Sequence, residues 1–367
     1  MLNALLASDW VSPSVDYHAL APEIVLGGGI LLLLLLDLFL SDAKKWVLTP
    51  VASFTLLGAF IPVLTVALDT DGARSLFDGR YVVDDFSLVL KALFLLAGYV
   101  VVLLSADHIR EGNYYQGEYW FLLLSSILGM VMMASSRDLV SIFVSLEFLS
   151  IPAYMLAAWR KRDPKSNEAG IKYYLLGVFA SAVMLYGMSL LYGIADSTKL
   201  VDIGNTLAGN VTAVRALAVL FVVVGFAFKV SAVPFHTWAP LGYGSAPTAT
   251  AMLHAGVLKK FGLYGLLRVG IPLMPDGAAA WLEILAFLCL GNIVYCGLVA
   301  MRQKDLNLLI GNSSVAHMGF IFLGIASLNL VGVTGAVVVM VAHGFLAALT
   351  FGLSGALRAQ TGTLEME

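Results

Sequence analysis

Long apolar runs, separated by short polar connections, set the pattern of this chain. By the rule of about 20 apolar residues per span, the runs are 22–41, 46–68, 85–105, 118–135, 138–159, 170–194, 212–235, 246–268, 279–301, 308–327 and 330–357. That makes about eleven candidates. Runs of this length are too long for barrel strands, so the backbone must satisfy its own hydrogen bonds as helices. The pattern predicts an all-α polytopic membrane protein. Composition agrees: 60% of residues are hydrophobic and 12% charged, and the mean hydropathy is +0.90. These values exclude an ordinary soluble domain.

Charge adds orientation. A net charge of −3 leaves no basic face for nucleic acid. With the N-terminus outside, inner connections would carry Lys44, Lys45, Arg110, Arg160, Lys161, Arg162, Lys165, Arg302, Lys304 and Arg358. The outer ones carry Arg74, Arg80, Arg137, Lys199, Arg215 and Arg268. The run WRKRDPK dominates the difference and predicts an outer N-terminus. The first apolar run has no basic flank before it and no small-residue cleavage site after it, so it reads as a retained helix. Residues 1–21 form an outer lead-in and 69–85 a solvated outer loop. Asp37 is expected at the hydrated interface, and Lys91 is expected to snorkel towards the outer loop. Cys289 and Cys296, seven apart on one helix face, read as packing residues.

The chemistry lies in ionisable residues at membrane depth. A cation at mid-bilayer costs roughly 2.5–3.5 kcal/mol on insertion scales, so such residues mark polar paths. Glu147 sits about nine residues into its run, with no basic residue three or four positions away. It needs a cation from another helix, water or a proton. Lys229 is nearest by depth, five residues before Pro234, which frees the carbonyl of Val230 and kinks the run. His254, Lys259 and Lys260 follow in the eighth run. Regular helical spacing lets only one of the two lysines share a path with His254. His317 and His343 come later, with Ser313 four residues before His317 to hold its tautomer. No phosphate loop, dinucleotide fingerprint, zinc-protease motif or nucleophile elbow occurs. Nothing in the sequence holds a flavin, haem, iron–sulfur centre or nucleotide.

These residues bring a family into view. The sequence resembles the antiporter-like membrane subunits of the proton-pumping NADH–quinone oxidoreductase, respiratory complex I. APEIVLGGGILLLLLLDLF, DLVSIFVSLEFLSIPAYML and NEAGIKYYLLGVFASAVMLYG match subunit N in style, and FKVSAVPFHTWAP is shared by the group. LHAGVLKKFGLYGLLR and SSVAHMGF lean towards subunit M. The resemblance implies a fourteen-helix fold with two inverted five-helix repeats and interrupted seventh and twelfth helices. It divides the chain into 1–21 as lead-in, 22–109 as helices 1–3, 110–245 as the first repeat, and 246–367 as central helix 8 with an incomplete second repeat.

By motif, Glu147 and Lys229 match the family's coupling pair and Lys260 its central lysine. His254, His317 and His343 match histidines of a proton relay. Lys229 would pass its proton towards Lys260, then His254, His317 and His343. The implied cofactors, NADH, FMN, iron–sulfur clusters and quinone, belong to partner subunits, with none in this chain. The implied partners are the other membrane subunits, and the implied setting is a bacterial inner membrane. A multisubunit Na+/H+ antiporter or membrane-bound hydrogenase subunit, or a non-conducting scaffold, are the rival readings. Three departures stand out. The residues end at Glu367, short of the last three helices; Leu241 replaces the usual acid after W-x-P; and Asn307-Leu308 replaces the usual K-R.

Overall fold

The computed structural model describes residues 15–366, apart from 70–71, 112–115, 209–211, 271–272 and 274–277. Residues 1–14 of the expected lead-in lie outside the described residues. The helices are α1 (Ala21–Phe39), α2 (Leu48–Ala67), α3 (Asp85–Glu111), α4 (Gln116–Ser135), α5 (Leu139–Ala157) and α6 (Pro164–Ala195). A short α7 (Leu200–Leu207) leads to α8 (Ala213–Val230) and a second short helix, α9 (Trp238–Ser245). The eighth span is composite: α10 (Thr248–Leu253), a π-turn His254–Leu258, α11 (Lys260–Gly265) and a π-turn Leu266–Gly270. The ninth joins α12 (Ala278–Gly291), a π-turn Asn292–Cys296 and α13 (Gly297–Met301). Helices α14 (Leu306–Ala326) and α15 (Leu330–Thr361) follow.

Among the described residues, nine helices are long and apolar enough to cross a membrane by themselves. The protein is a multi-pass membrane protein. Its outer surface is apolar, with Leu31, Leu35 and Phe39 on α1 and Ile171, Leu175 and Phe179 on α6 all exposed. Helix ends follow local chemistry. Asp138 caps α5 by accepting from the Val140 and Ser141 amides, both at 3.1 Å, and Asp305 accepts from Leu308 N at 3.0 Å to cap α14. The sixth span starts at Pro164 and not at the expected 170. Asp163 accepts from Lys165 N at 3.0 Å and Pro164 occupies the first turn, so the segment PKSNEA joins the helix before the apolar run begins.

The 69–85 connection is more than solvated loop. β1 (Arg74–Leu76) pairs antiparallel with β2 (Tyr81–Val83), and Tyr81 and Val83 are buried. The hairpin seats on the turn between α4 and α5: Arg137 N donates to Arg80 O at 2.8 Å, and Arg80 Nη1 donates to Asp138 Oδ1 at 3.1 Å. Helix pairs α1–α2, α4–α5, α6–α8 and α14–α15 pack side by side around one apolar core. Cys289 and Cys296 are both buried within it as free thiols.

Candidate functional site

Lys229 stands at the end of α8, where the seventh span breaks. The expected kink at Pro234 is a termination: α8 stops at Val230, and Ser231 adopts a left-handed φ of 64°. The carbonyls freed there find specific donors. Trp238 Nε1 donates to Phe228 O at 3.0 Å, and Asn292 Nδ2 donates to Ser231 O at 3.1 Å and Val315 O at 3.3 Å. Asn292 Oδ1 also accepts from Val233 N at 2.5 Å. Helix α11 approaches closely at Gly262, where a Cβ would lie 2.6 Å from Phe226 O and Val230 N. The helix end carrying Lys229 is thereby clamped from two sides.

The Lys229 side chain is 2% exposed. Its Nζ donates to Ser150 Oγ at 2.6 Å and to Tyr154 OH at 3.0 Å, both on α5. Glu147 lies on the same stripe of α5, three residues before Ser150 and seven before Tyr154. Its Oε1 accepts from Ser181 Oγ of α6 at 2.6 Å. No ion pair joins Glu147 to Lys229 among the described residues. The lysine is held by neutral hydroxyls one and two turns along, while α6 occupies the carboxylate. The spacing of Ser150 and Tyr154 at three and seven residues from Glu147 was a signal available in the sequence.

In the eighth span the π-turn changes the helical phase. Lys259 N donates to His254 O at 3.1 Å, so a five-residue step replaces the usual four. Lys259 and Lys260 are both fully buried, and they diverge. Lys260 Nζ donates to Ala255 O at 2.5 Å and to His343 Nδ1 at 2.9 Å. The His343 and His317 rings are 5.2 Å apart. His317 Nδ1 donates to the Ser313 carbonyl at 2.8 Å, so the backbone and not the Ser313 hydroxyl holds its tautomer. Lys260, His343 and His317 therefore form one contiguous group.

His254 stands apart from that group. It is fully buried, and neither ring nitrogen has a hydrogen-bond partner. Its neighbours are aromatic: Tyr173 at 5.8 Å and Tyr243 at 6.5 Å between ring centroids. Tyr173 stacks on Trp238 at 4.3 Å and meets Tyr154 edge-on at 4.5 Å. A wall of rings thus runs from the hydroxyl that holds Lys229 to His254. The expected order, in which His254 precedes His317 and His343, is not the arrangement the side chains adopt. Tyr154, Tyr173, Tyr243 and Asn292 were not singled out by sequence, because isolated aromatics and one Asn in apolar runs look like packing.

Comparison with known proteins decides the family. Residues 136–367 match the family described as NADH:quinone oxidoreductase/Mrp antiporter, transmembrane region. NADH-quinone oxidoreductase subunit N of Parvibaculum lavamentivorans is 33% identical over 358 residues, covering 97% of this chain and 73% of that protein. The chain belongs to this family. Among solved structures, a chain of respiratory complex I from Thermus thermophilus aligns with a TM-score of 0.72 and 30% identity, covering 89% of this chain and 69% of that one. A chain of the Mrp complex from Dietzia sp. has the same fold, with a TM-score of 0.83 at 20% identity, covering 96% of this chain and 67% of that one.

This family member carries three further charge groups. Lys91 is fully buried and does not snorkel: its Nζ lies 2.7 Å from Glu23 Oε1. Tyr81 OH donates to the same oxygen at 2.6 Å. The β-hairpin covers this end of α3, so the position that looks close to water along the chain is sealed in space. Asp37, expected at the hydrated interface, pairs with Lys45 at 3.2 Å with both side chains about one-fifth exposed.

At the hairpin end Asp84 Oδ2 accepts from Arg137 Nη2 at 2.9 Å and from Arg268 Nη2 at 2.6 Å. Burial opposes ionisation of Asp84, but the Ser87 amide and the two guanidinium groups outweigh it and hold the carboxyl below the usual range. A lowered folded-state value stabilises the protein above the unfolded carboxyl's value of about 3.9. That contribution is lost as pH falls through the folded value. Asp84→Asn is therefore expected to lower thermal stability in detergent at pH 7, with the gap from the parent closing below about pH 4. A gap that does not vary with pH would show that ionised Asp84 contributes nothing.

Proposed function

We infer that this chain is a proton-translocating membrane subunit of a complex I-like NADH–quinone oxidoreductase. The observation that carries the reading is the contiguous group of buried Lys260 and His343 with half-buried His317, inside a subunit of this family. Partner subunits would supply NADH oxidation, FMN, iron–sulfur clusters and quinone reduction. The neighbours in the membrane would be the other membrane subunits of that complex. The excess of Lys and Arg in WRKRDPK supports an N-terminus on the outer side of a bacterial inner membrane.

Lys229 carries the entering proton in this reading, with its ammonium held by Ser150 and Tyr154. Glu147 lies on the same stripe of α5 and sets how firmly that proton is held. At an effective dielectric near 20, moving a partner charge from about 4 to 8 Å changes the interaction by roughly 2 kcal/mol, more than tenfold in proton occupancy. Small helix shifts therefore suffice to load or release Lys229. Lys260 hands its proton to His343 along the existing hydrogen bond, and His317 stands next in line. His254, ringed by tyrosines, sits on the Lys229 side of the eighth span.

The test is to incorporate Lys229→Ala or Lys260→Met into the intact complex in liposomes and measure protons moved per quinone reduced. Loss of a positioned acid–base group is expected to slow proton transfer through the chain by roughly 100-fold. Native stoichiometry in both variants would remove these lysines from the mechanism. Pumping that requires added Na+ would favour the antiporter reading.

A further inference from the structure

Lys259 has no role in the pathway so far. It is as buried as Lys260, yet its Nζ points to a different set of groups. Ser314 Oγ lies 3.4 Å away on α14, and the Tyr243 ring centroid of α9 lies at 5.6 Å. Lys260 instead meets Ala255 O, His343 on α15 and, beyond it, His317 on α14. Neither lysine has a carboxylate within ion-pair distance among the described residues. Two ammonium groups on successive residues, both out of water, repel without a compensating anion. At an effective dielectric near 20, a like charge within about 8 Å disfavours the second proton by more than tenfold.

We propose that Lys259 is a proton-loading residue whose protonation expels the proton of Lys260 onto His343. This rests on the reading of Lys260 and His343 as part of the pathway. The step balances: a proton entering from the Lys229 side forms an N–H bond at Lys259 Nζ, an N–H bond of Lys260 breaks, and an N–H bond forms at His343 Nδ1, so the two lysines together keep one positive charge and His343 carries the second. The π-turn makes the device possible. It places Lys259 under His254 and beside Tyr243 while leaving Lys260 aimed at α15. A regular helix would turn the pair by a different angle and lose one set of contacts. Lys259 acts through Lys260, so it is a positioning residue and not the group that hands the proton on.

The experiment uses the intact complex in liposomes, with proton pumping followed against pH. In Lys259→Met and Lys259→Gln, Lys260 is freed from its like-charged neighbour and holds its proton to higher pH. The alkaline limb of the pumping profile should move up by about one pH unit, with pumping at neutral pH down about tenfold. Lys259→Arg carries a permanent charge, so it should keep Lys260 unloaded and abolish pumping even though packing is nearly preserved. An unmoved limb in the Met and Gln variants, or native pumping in Lys259→Arg, would overturn the proposal. Lys260→Met is run alongside. If it pumps normally, the pathway reading itself fails; if it alone is inactive, only the role of Lys259 is lost.

Discussion

Asn292→Leu is expected to destabilise the protein by about 2–6 kcal/mol and to reduce proton pumping, although Asn292 cannot titrate. The side chain is fully buried and satisfies two backbone groups outside the helices, Val233 N and Ser231 O, with a further bond to Val315 O inside α14. Leucine matches its size but offers no polar atom. Each orphaned backbone group inside the bundle then costs about 1–3 kcal/mol, because no water is at hand to replace the lost partner. The functional effect follows from position. Asn292 holds the chain just past Val230, and Lys229 is the residue before that break. Loosening the break releases the lysine from Ser150 and Tyr154. Thermal denaturation in detergent and pumping in liposomes read the two effects separately. Native stability in Asn292→Leu would mean that the broken segment is held by something else.

Lys91→Met comes next in size, at about 3–5 kcal/mol. It leaves Glu23, only 11% exposed at the side chain, without its cation. Tyr81 OH would remain as a donor, but a single hydroxyl does not neutralise a buried carboxylate. The companion double variant, Glu23→Gln with Lys91→Met, removes both charges and should recover most of the loss, since a buried pair contributes little net stability over neutral side chains of similar size. A double-mutant cycle on thermal stability measures the coupling. Additive effects within about 0.5 kcal/mol would show that the two charges do not depend on each other.

The placement of Lys91 shows where reading along the chain fails. Six residues into α3, it looks near the water by count alone. Only the docking of the hairpin on the turn after α4 closes that end, and this docking depends on contacts between residues 58 apart in sequence, such as Arg80 with Asp138. The eighth span teaches the same lesson. Spacing by a regular helix puts His254 with one lysine or the other but does not choose between them. The π-turn decides it by placing Lys259, not Lys260, one turn below His254. Lys229 reaches the stripe of α5 that carries Glu147. Which atoms they bond was not legible, because Ser150 and Tyr154 on α5 take the lysine while Ser181 on α6 takes the carboxylate.

From the amino-acid order alone come the spanning segments, the membrane setting, the break before Pro234 and the short set of buried ionisable residues. Each of these is a local property: transfer free energy sums along a run, and a proline or a capping aspartate acts on its own turn. The tertiary structure alone assigns partners, joining Lys260 to His343, Lys91 to Glu23 and Asn292 to the broken backbone. Those choices depend on the rotation and depth of one helix against another. Side chains tens to hundreds of residues apart set that arrangement, and no window along the chain contains them.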